Sequence, residues 1–489
     1  MLYTGAKVIL KVLLCISLSL ASNQLIASDY SPPGLYDVDT ITLDNGIDVI
    51  FKQRQTAHTF SMRVWVGIGT QDFPCKSQEI PHFLEHLLFT GTTKHSEVEL
   101  EHLVADHGGY WNAATGVEET TYQIDIYSRY AEFAIDMLHE IITDSTITAE
   151  NVEISRDIIH RESGGEPSAI RRWFRDRGVG VNATIKAVRQ LVPDTNLVCE
   201  SLVTATDISR DQIIDTFEKF YVPGNMAVII VGDFDRDEVL QQLRRTFGKM
   251  PVKPVPERLI TGIEESLSFD PVTGTLSPLI SDDANIGIMY RLPGYWSEDH
   301  YPMMVLEEYL HYRISEVIRM ERGLAYAPDT WSYRTDRFGL FGVYADVNID
   351  DIDDALFLIN REMRMLTEHY LSEESLERSK LKILLRSVRG YESNSEFAGY
   401  YSAQYVLFRK NRTFENVEQK IEAVTLEDIE RVVKKYLSKD KAVTIFETPT
   451  LTLTQLYVLL SVLFLAAILF VMYVYIKLHV RFKKSKTNN

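Results

Sequence analysis

The chain has 489 residues, 45% of them apolar and 25% charged, with a net charge of -18 at neutral pH. That length exceeds one ordinary hydrophobic core and implies two to three folded domains, and the balance is that of a globular rather than a disordered protein. The acidic excess excludes a general nucleic-acid binder, which needs a basic face for phosphate.

Residues 1–28 carry Lys7 and Lys11, an apolar run from Val12 to Leu20 and a small-residue site at Ser19-Leu20-Ala21. This is the pattern of an export signal, and its apolar core is too short to span a bilayer, so cleavage is expected. Next, "GIDVIFKQ" and "TFSMRVWVGIG" are rich in β-branched and aromatic residues and read as paired strands. "PHFLEHLLFTG" reads as a helix, with Pro81 at a helix-compatible first position and Gly91 beyond its end. "TTYQIDIYS" is expected as another strand, and "YAEFAIDMLHEIITD" and "TAENVEISRDIIHRES" as helices.

An internal echo follows. Ile208 to Phe234 reads as helix, short turn and buried strand, and Val424 to Thr448 repeats that order. The Pro-rich "MPVKPVPERL" between them marks a linker. The expected architecture is α+β: two homologous α/β domains, at 32–249 and 276–449, joined by a linker over 250–275. Each would hold a mixed, mainly antiparallel sheet flanked by helices.

Leu456 to Ile476 contains no charged residue, and a helix of that length, about 30 Å, crosses a bilayer core. Lys477, Arg481, Lys483, Lys484 and Lys486 follow it, whereas the preceding "TPTLTLTQ" has no basic residue. The positive-inside rule then makes 456–476 a transmembrane helix with a basic cytoplasmic tail at 477–489, and puts the body in the periplasm or another exported space. Of the three cysteines, Cys15 belongs to the signal; Cys75 and Cys199 could pair in an oxidising compartment, a point that spacing does not decide.

The chemistry centres on His82, Glu85 and His86. Positions i, i+3 and i+4 project from one helix face. Two neutral imidazoles so placed can hold one Zn2+, and the carboxylate beside them can act as the base toward water. The order H-x-x-E-H is that of inverzincins. A third protein ligand is required, and Glu153, Asp157, Glu162 and Glu166 are the acidic candidates downstream, among which spacing does not choose. The acidic run "DVNIDDIDDA" lacks the glycine and terminal glutamate of an EF-hand loop and reads as a solvated helix start. His58, His95, His102, His107, His139 and His160 belong to no such constellation.

Taken together, "HFLEHLLFTGT", "GGYWNAATGVEETTY" and "SRDIIHRE" resemble the active domain of the pitrilysin, insulysin and mitochondrial-processing-peptidase family. The resemblance implies a zinc metalloendopeptidase with one Zn2+ per chain. It makes Glu162, 76 residues past His86, the third metal ligand. The family carries a supporting glutamate seven residues before that ligand; this sequence has Ser155, a departure that bears on metal affinity. Asn112 and Ala113 match the edge strand that binds a substrate backbone by strand addition. Arg319 and Tyr326, in "RMERGLAYAPDTW", match an Arg–Tyr pair that completes the site. The residue types suit the task, since arginine can hold a carbonyl or carboxylate and a tyrosine hydroxyl can donate to an oxyanion.

The family's architecture implies that four such domains enclose the site, with the Arg–Tyr element contributed by a partner chain. Substrates would be peptides or unfolded protein segments. Because this chain carries both halves of the constellation, a homodimer is expected. The alternatives are a heterodimer with a degenerate relative and a non-catalytic membrane-bound subunit.

Overall fold

A computed structural model describes residues 34–486, apart from 56, 163–167, 171–172, 174–181, 194, 196, 198–204, 256, 258–268, 276–278, 370 and 390. The expected signal peptide therefore lies outside the described residues. The strands are β1 (Asp39–Thr42), β2 (Asp48–Gln53), β3 (Thr59–Val66), β4 (Tyr110–Thr115), β5 (Thr120–Tyr127), β6 (Met226–Gly232), β7 (Val272–Thr275), β8 (Asp283–Pro293), β9 (Asp329–Arg334), β10 (Phe338–Asn348) and β11 (Ala442–Thr448). They form two sheets, in the orders β1-β2-β6-β3-β5-β4 and β7-β11-β8-β10-β9.

Both sheets are mixed. β2 runs parallel to β6 and β7 parallel to β11, while the remaining neighbours are antiparallel. Removing β1 leaves the two strand orders superimposable. The repeated segments occupy equivalent places: the helix Arg210–Phe220 leads into β6, and the helix Leu426–Tyr436 into β11. Each helix opens with a capping box, Ser209 with Gln212 and Thr425 with Asp428, which fixes where the helix starts.

The expected pairing of "GIDVIFKQ" with "TFSMRVWVGIG" is corrected. β6 inserts between β2 and β3 and bonds to both. The reason lies in its sequence, MAVIIVG, which is buried at every residue. A strand apolar on both faces belongs inside a sheet covered on both sides. Val272–Thr275, at the end of the stretch read as linker, is an edge strand of the second sheet.

The two halves interlock. One face of the first sheet packs on helices of its own half, including Ile80–Leu87 and Ala131–Asp144. Its other face, with Ile50, Trp65, Ile229 and Val231, is covered by Phe397, Tyr401, Tyr405 and Phe408 of the helix Asn394–Asn411 from the second half. The Tyr405 hydroxyl donates to Asp48 over 2.8 Å, and the Arg412 guanidinium grips both oxygens of the same carboxylate at 2.6 and 2.7 Å. In return the helix Ala183–Leu191 of the first half covers Met289, Leu340 and Val443 of the second sheet. Its first amide, from Ala183, donates to Glu447 over 2.7 Å.

The chain ends in a helix, Leu453–Lys486, of which Leu453–Leu478 is long and apolar enough to cross a membrane and is not buried against the body. Its start is tied to the second half. Leu451 bridges Ile280, and the Leu453 amide donates to Asp282 over 3.0 Å.

Candidate active site

The helix Ile80–Leu87 buries Ile80, Phe83, Leu84 and Leu87 in the first core, which leaves His82, Glu85 and His86 half-buried on the remaining face. Gly91, with φ of +126°, ends this segment in a conformation that side chains avoid. The helix Ala149–Glu162 packs against it and brings Glu162 over the two imidazoles. Arg156 holds this second helix in place: it lies 5.3 Å from the Phe83 ring centre and donates to the carbonyls of Ala205 and Ile208.

His82 Nε2 lies 3.1 Å from His86 Nε2 and 3.1 Å from Glu162 Oε2, and His86 Nε2 lies 3.6 Å from that same oxygen. Zinc bound tetrahedrally with arms of about 2.0–2.1 Å sets neighbouring donors about 3.4 Å apart. The three separations bracket that value, and two imidazoles with one carboxylate are a known catalytic zinc donor set. The residues therefore fit the metal. Of the other acidic candidates, Glu153 pairs with Arg156 and Asp157 joins no metal-like cluster among the described residues. Glu166 lies outside them.

Burial, the largest single influence on His82, disfavours its charged form. The hydrogen bond that His82 donates to Glu79 and the charges of Glu85, Glu79 and Glu162 outweigh it and raise the His82 pKa above its ordinary value. Glu79 was not singled out in the sequence. Its Oε2 lies 3.0 Å from His82 Nδ1, and its one legible signal was a carboxylate three residues before a candidate ligand. Below the motif, Tyr122 and Tyr221 are buried with their hydroxyls 2.7 Å apart. Burial raises the Tyr122 pKa most, with smaller contributions from Tyr221 and the Glu85 charge.

Asn112 and Ala113 lie on β4, the edge strand of the first sheet. The end of β4 abuts the motif helix, where the Thr115 hydroxyl donates to the Pro81 carbonyl at 3.5 Å. Arg319 and Tyr326 lie elsewhere. A π-helical turn, Ser315–Glu321, carries Arg319, and a reversal through Gly323, with φ of +64°, leads to Tyr326. The Tyr326 side chain is 84% exposed. Among the described residues neither bonds to His82, Glu85, His86 or Glu162. Cys75, a few residues before the motif helix, is disulfide-bonded, and the expected partner Cys199 lies outside the described residues.

Comparison with known proteins finds matches over both halves of the chain. The family profile described as Insulinase (Peptidase family M16) matches residues 48–166, and the one described as Peptidase M16 inactive domain matches residues 207–383. Mitochondrial-processing peptidase subunit beta of Lentinula edodes is 28% identical over 432 residues, covering 83% of this chain and 89% of that protein. An uncharacterized zinc protease of Streptomyces coelicolor is 24% identical over 416 residues, covering 83% of this chain and 88% of its own length. The crystal structure of a protease from Helicobacter pylori superposes with a TM-score of 0.70 at 18% identity, covering 84% of this chain and 99% of that one. The chain belongs to the M16 peptidase family, in its two-domain branch.

Proposed function

We propose that this protein is a membrane-anchored zinc metalloendopeptidase that hydrolyses peptides or unfolded protein segments in an exported compartment. The observation that carries the reading is the convergence of His82, His86 and Glu162 within 3.1 to 3.6 Å of one another, with Glu85 on the same helix. Zn2+ held by these three side chains supplies Lewis acidity toward water and a peptide carbonyl.

The chain's own residues supply the rest. A substrate strand adds to the β4 edge at Asn112 and Ala113, which positions its backbone without demanding a particular side chain. Glu85 takes the proton of the attacking water and returns it to the leaving amine. The Tyr326 hydroxyl, aided by Arg319, donates to the oxyanion as the carbonyl becomes tetrahedral. Since both are exposed and, among the described residues, neither bonds to a metal-ligand candidate of its own chain, we assign them to the site of a second copy in a homodimer. The disulfide at Cys75 supports an oxidising, exported location, and the basic tail after the apolar helix supports a cytoplasmic C-terminus.

The test is cleavage of a quenched flexible peptide by the full chain in detergent. Cleavage that disappears on chelation, returns with zinc, and falls about 100- to 10,000-fold in Glu85→Gln is expected of a lost general base. Equal cleavage by parent and variant would remove Glu85 from its role. A parent that binds zinc and cuts no peptide in a varied pool would leave the non-catalytic subunit as the better reading.

A further inference from the structure

We propose that Glu79 is a positioning residue for the metal, fixing the tautomer and orientation of His82 through its Nδ1. Glu79 stands at the N-cap of the motif helix, where an acidic side chain ordinarily accepts from the first free backbone amides. It makes no such bond. Its carboxylate instead reaches three residues forward, and Oε2 lies 3.0 Å from His82 Nδ1.

The consequence follows from imidazole chemistry. A neutral ring carries one proton, and a carboxylate acceptor at Nδ1 holds it there. Nε2 is then left with its lone pair, and Nε2 is the atom that faces His86 Nε2 and Glu162 Oε2, each at 3.1 Å. In the other tautomer a proton would point into the donor cluster and close one of its three positions. The carboxylate also stops rotation about the ring's attachment, so less freedom is lost when a metal is captured, and its charge raises the basicity of the ligating nitrogen.

The helix that contributes Glu162 offers no equivalent support from the same face. Ser155, two turns earlier, is 1% exposed, and its hydroxyl has no hydrogen-bond partner among the described residues. The carboxylate that reaches a ligand's second nitrogen thus comes from the start of the motif helix itself.

The experiment is zinc affinity of the full chain, measured by competition with a chromophoric chelator, for the parent, Glu79→Ala and Glu79→Gln. The melting temperature of each metal-free protein is measured alongside. Loss of an orienting partner is expected to weaken zinc binding about 10- to 100-fold in Glu79→Ala. Glu79→Gln, which keeps an acceptor oxygen without the charge, is expected to fall between that variant and the parent. The metal-free melting temperatures should coincide. The visible spectrum of the cobalt-loaded Glu79→Ala protein should also shift, because His82 is free to reorient. Zinc affinities within threefold of the parent in both variants would overturn the proposal. So would an affinity loss that only tracks a fall in metal-free stability.

Discussion

The guanidinium carbon of Arg319 lies 5.0 Å from the centre of the Tyr326 ring, so the two form one exposed cationic and hydroxyl-bearing unit. If this unit serves a second copy, two inactive chains can repair each other. Glu85→Gln lacks the base and Tyr326→Phe lacks the oxyanion donor. A mixed dimer then holds one doubly impaired site and one intact site, and random exchange should restore roughly a quarter of parental activity. The measurement is peptide cleavage after the separately purified variants are mixed. No recovery, despite demonstrated subunit exchange, would place the pair in its own chain's site.

Glu118 predicts a pH dependence of stability. It lies where the halves meet: Tyr295 donates to both its oxygens at 3.1 Å, the Asp336 amide donates at 3.2 Å, and Gln71 donates at 3.4 Å while accepting from Arg337. Burial first, then the neighbouring Asp336 charge, raises its pKa from 4.5 to about 7. A carboxyl that holds its proton more tightly when folded stabilises fully below its unfolded pKa, and that contribution is lost as pH rises through the folded one. Melting temperature should therefore fall between pH 5 and pH 8. Glu118→Gln, which cannot ionise, should flatten that slope and be more stable than the parent at pH 8, by on the order of 3 kcal/mol at most. Parallel curves for the two proteins would show that Glu118 is already charged throughout.

How much of this was legible depended on the range of the interaction. The motif helix could be read from Phe83, Leu84 and Leu87 alternating with His82, Glu85 and His86, because helical periodicity is local. The repeat was legible for the same reason, since Ser209 and Thr425 each start a helix that runs directly into a strand. Strand neighbours were not. The segment that separates β2 from β3 arrives more than 150 residues later in the chain, and nothing in either strand records it. The exchange of helices was equally hidden, because Phe397, Tyr401, Tyr405 and Phe408 make an apolar face that would suit either sheet. Within the site, Glu162 was selected through family resemblance rather than spacing, and Glu79 looked like one more polar residue before a helix.

The exchange of helices can be tested at Gly274. A Cβ built there would stand 2.5 Å from the Ala183 backbone nitrogen and 3.0 Å from its Cβ, so β7 and the helix Ala183–Leu191 approach as closely as a glycine allows. Gly274→Ala must push the helix off the second sheet or distort β7. The expected cost is about 1–3 kcal/mol, read as a lower denaturant midpoint with zinc affinity retained, because the metal ligands lie on the other half's helices. Ala183→Gly should recover part of the loss in the double variant by removing the side-chain contact, while the backbone contact at 2.5 Å remains. An unchanged midpoint in Gly274→Ala would mean that the packing between the halves is loose.

The terminal helix gives the last prediction. Its start is held against the body by the Leu451–Ile280 bridge and the Leu453–Asp282 hydrogen bond, so no slack separates the second sheet from the apolar segment. A stretch of this length without charge stays in the bilayer under alkaline carbonate, whereas a peripheral protein is released. The full chain should remain in the membrane pellet, and a chain ending at Pro449 should be soluble and still bind zinc. Orientation follows from the basic residues after Leu478, which resist translocation. In intact cells, protease added from the exported side should digest the body and spare a tag placed after Asn489. A digested tag with a protected body would reverse the topology and move the peptidase to the cytoplasmic face.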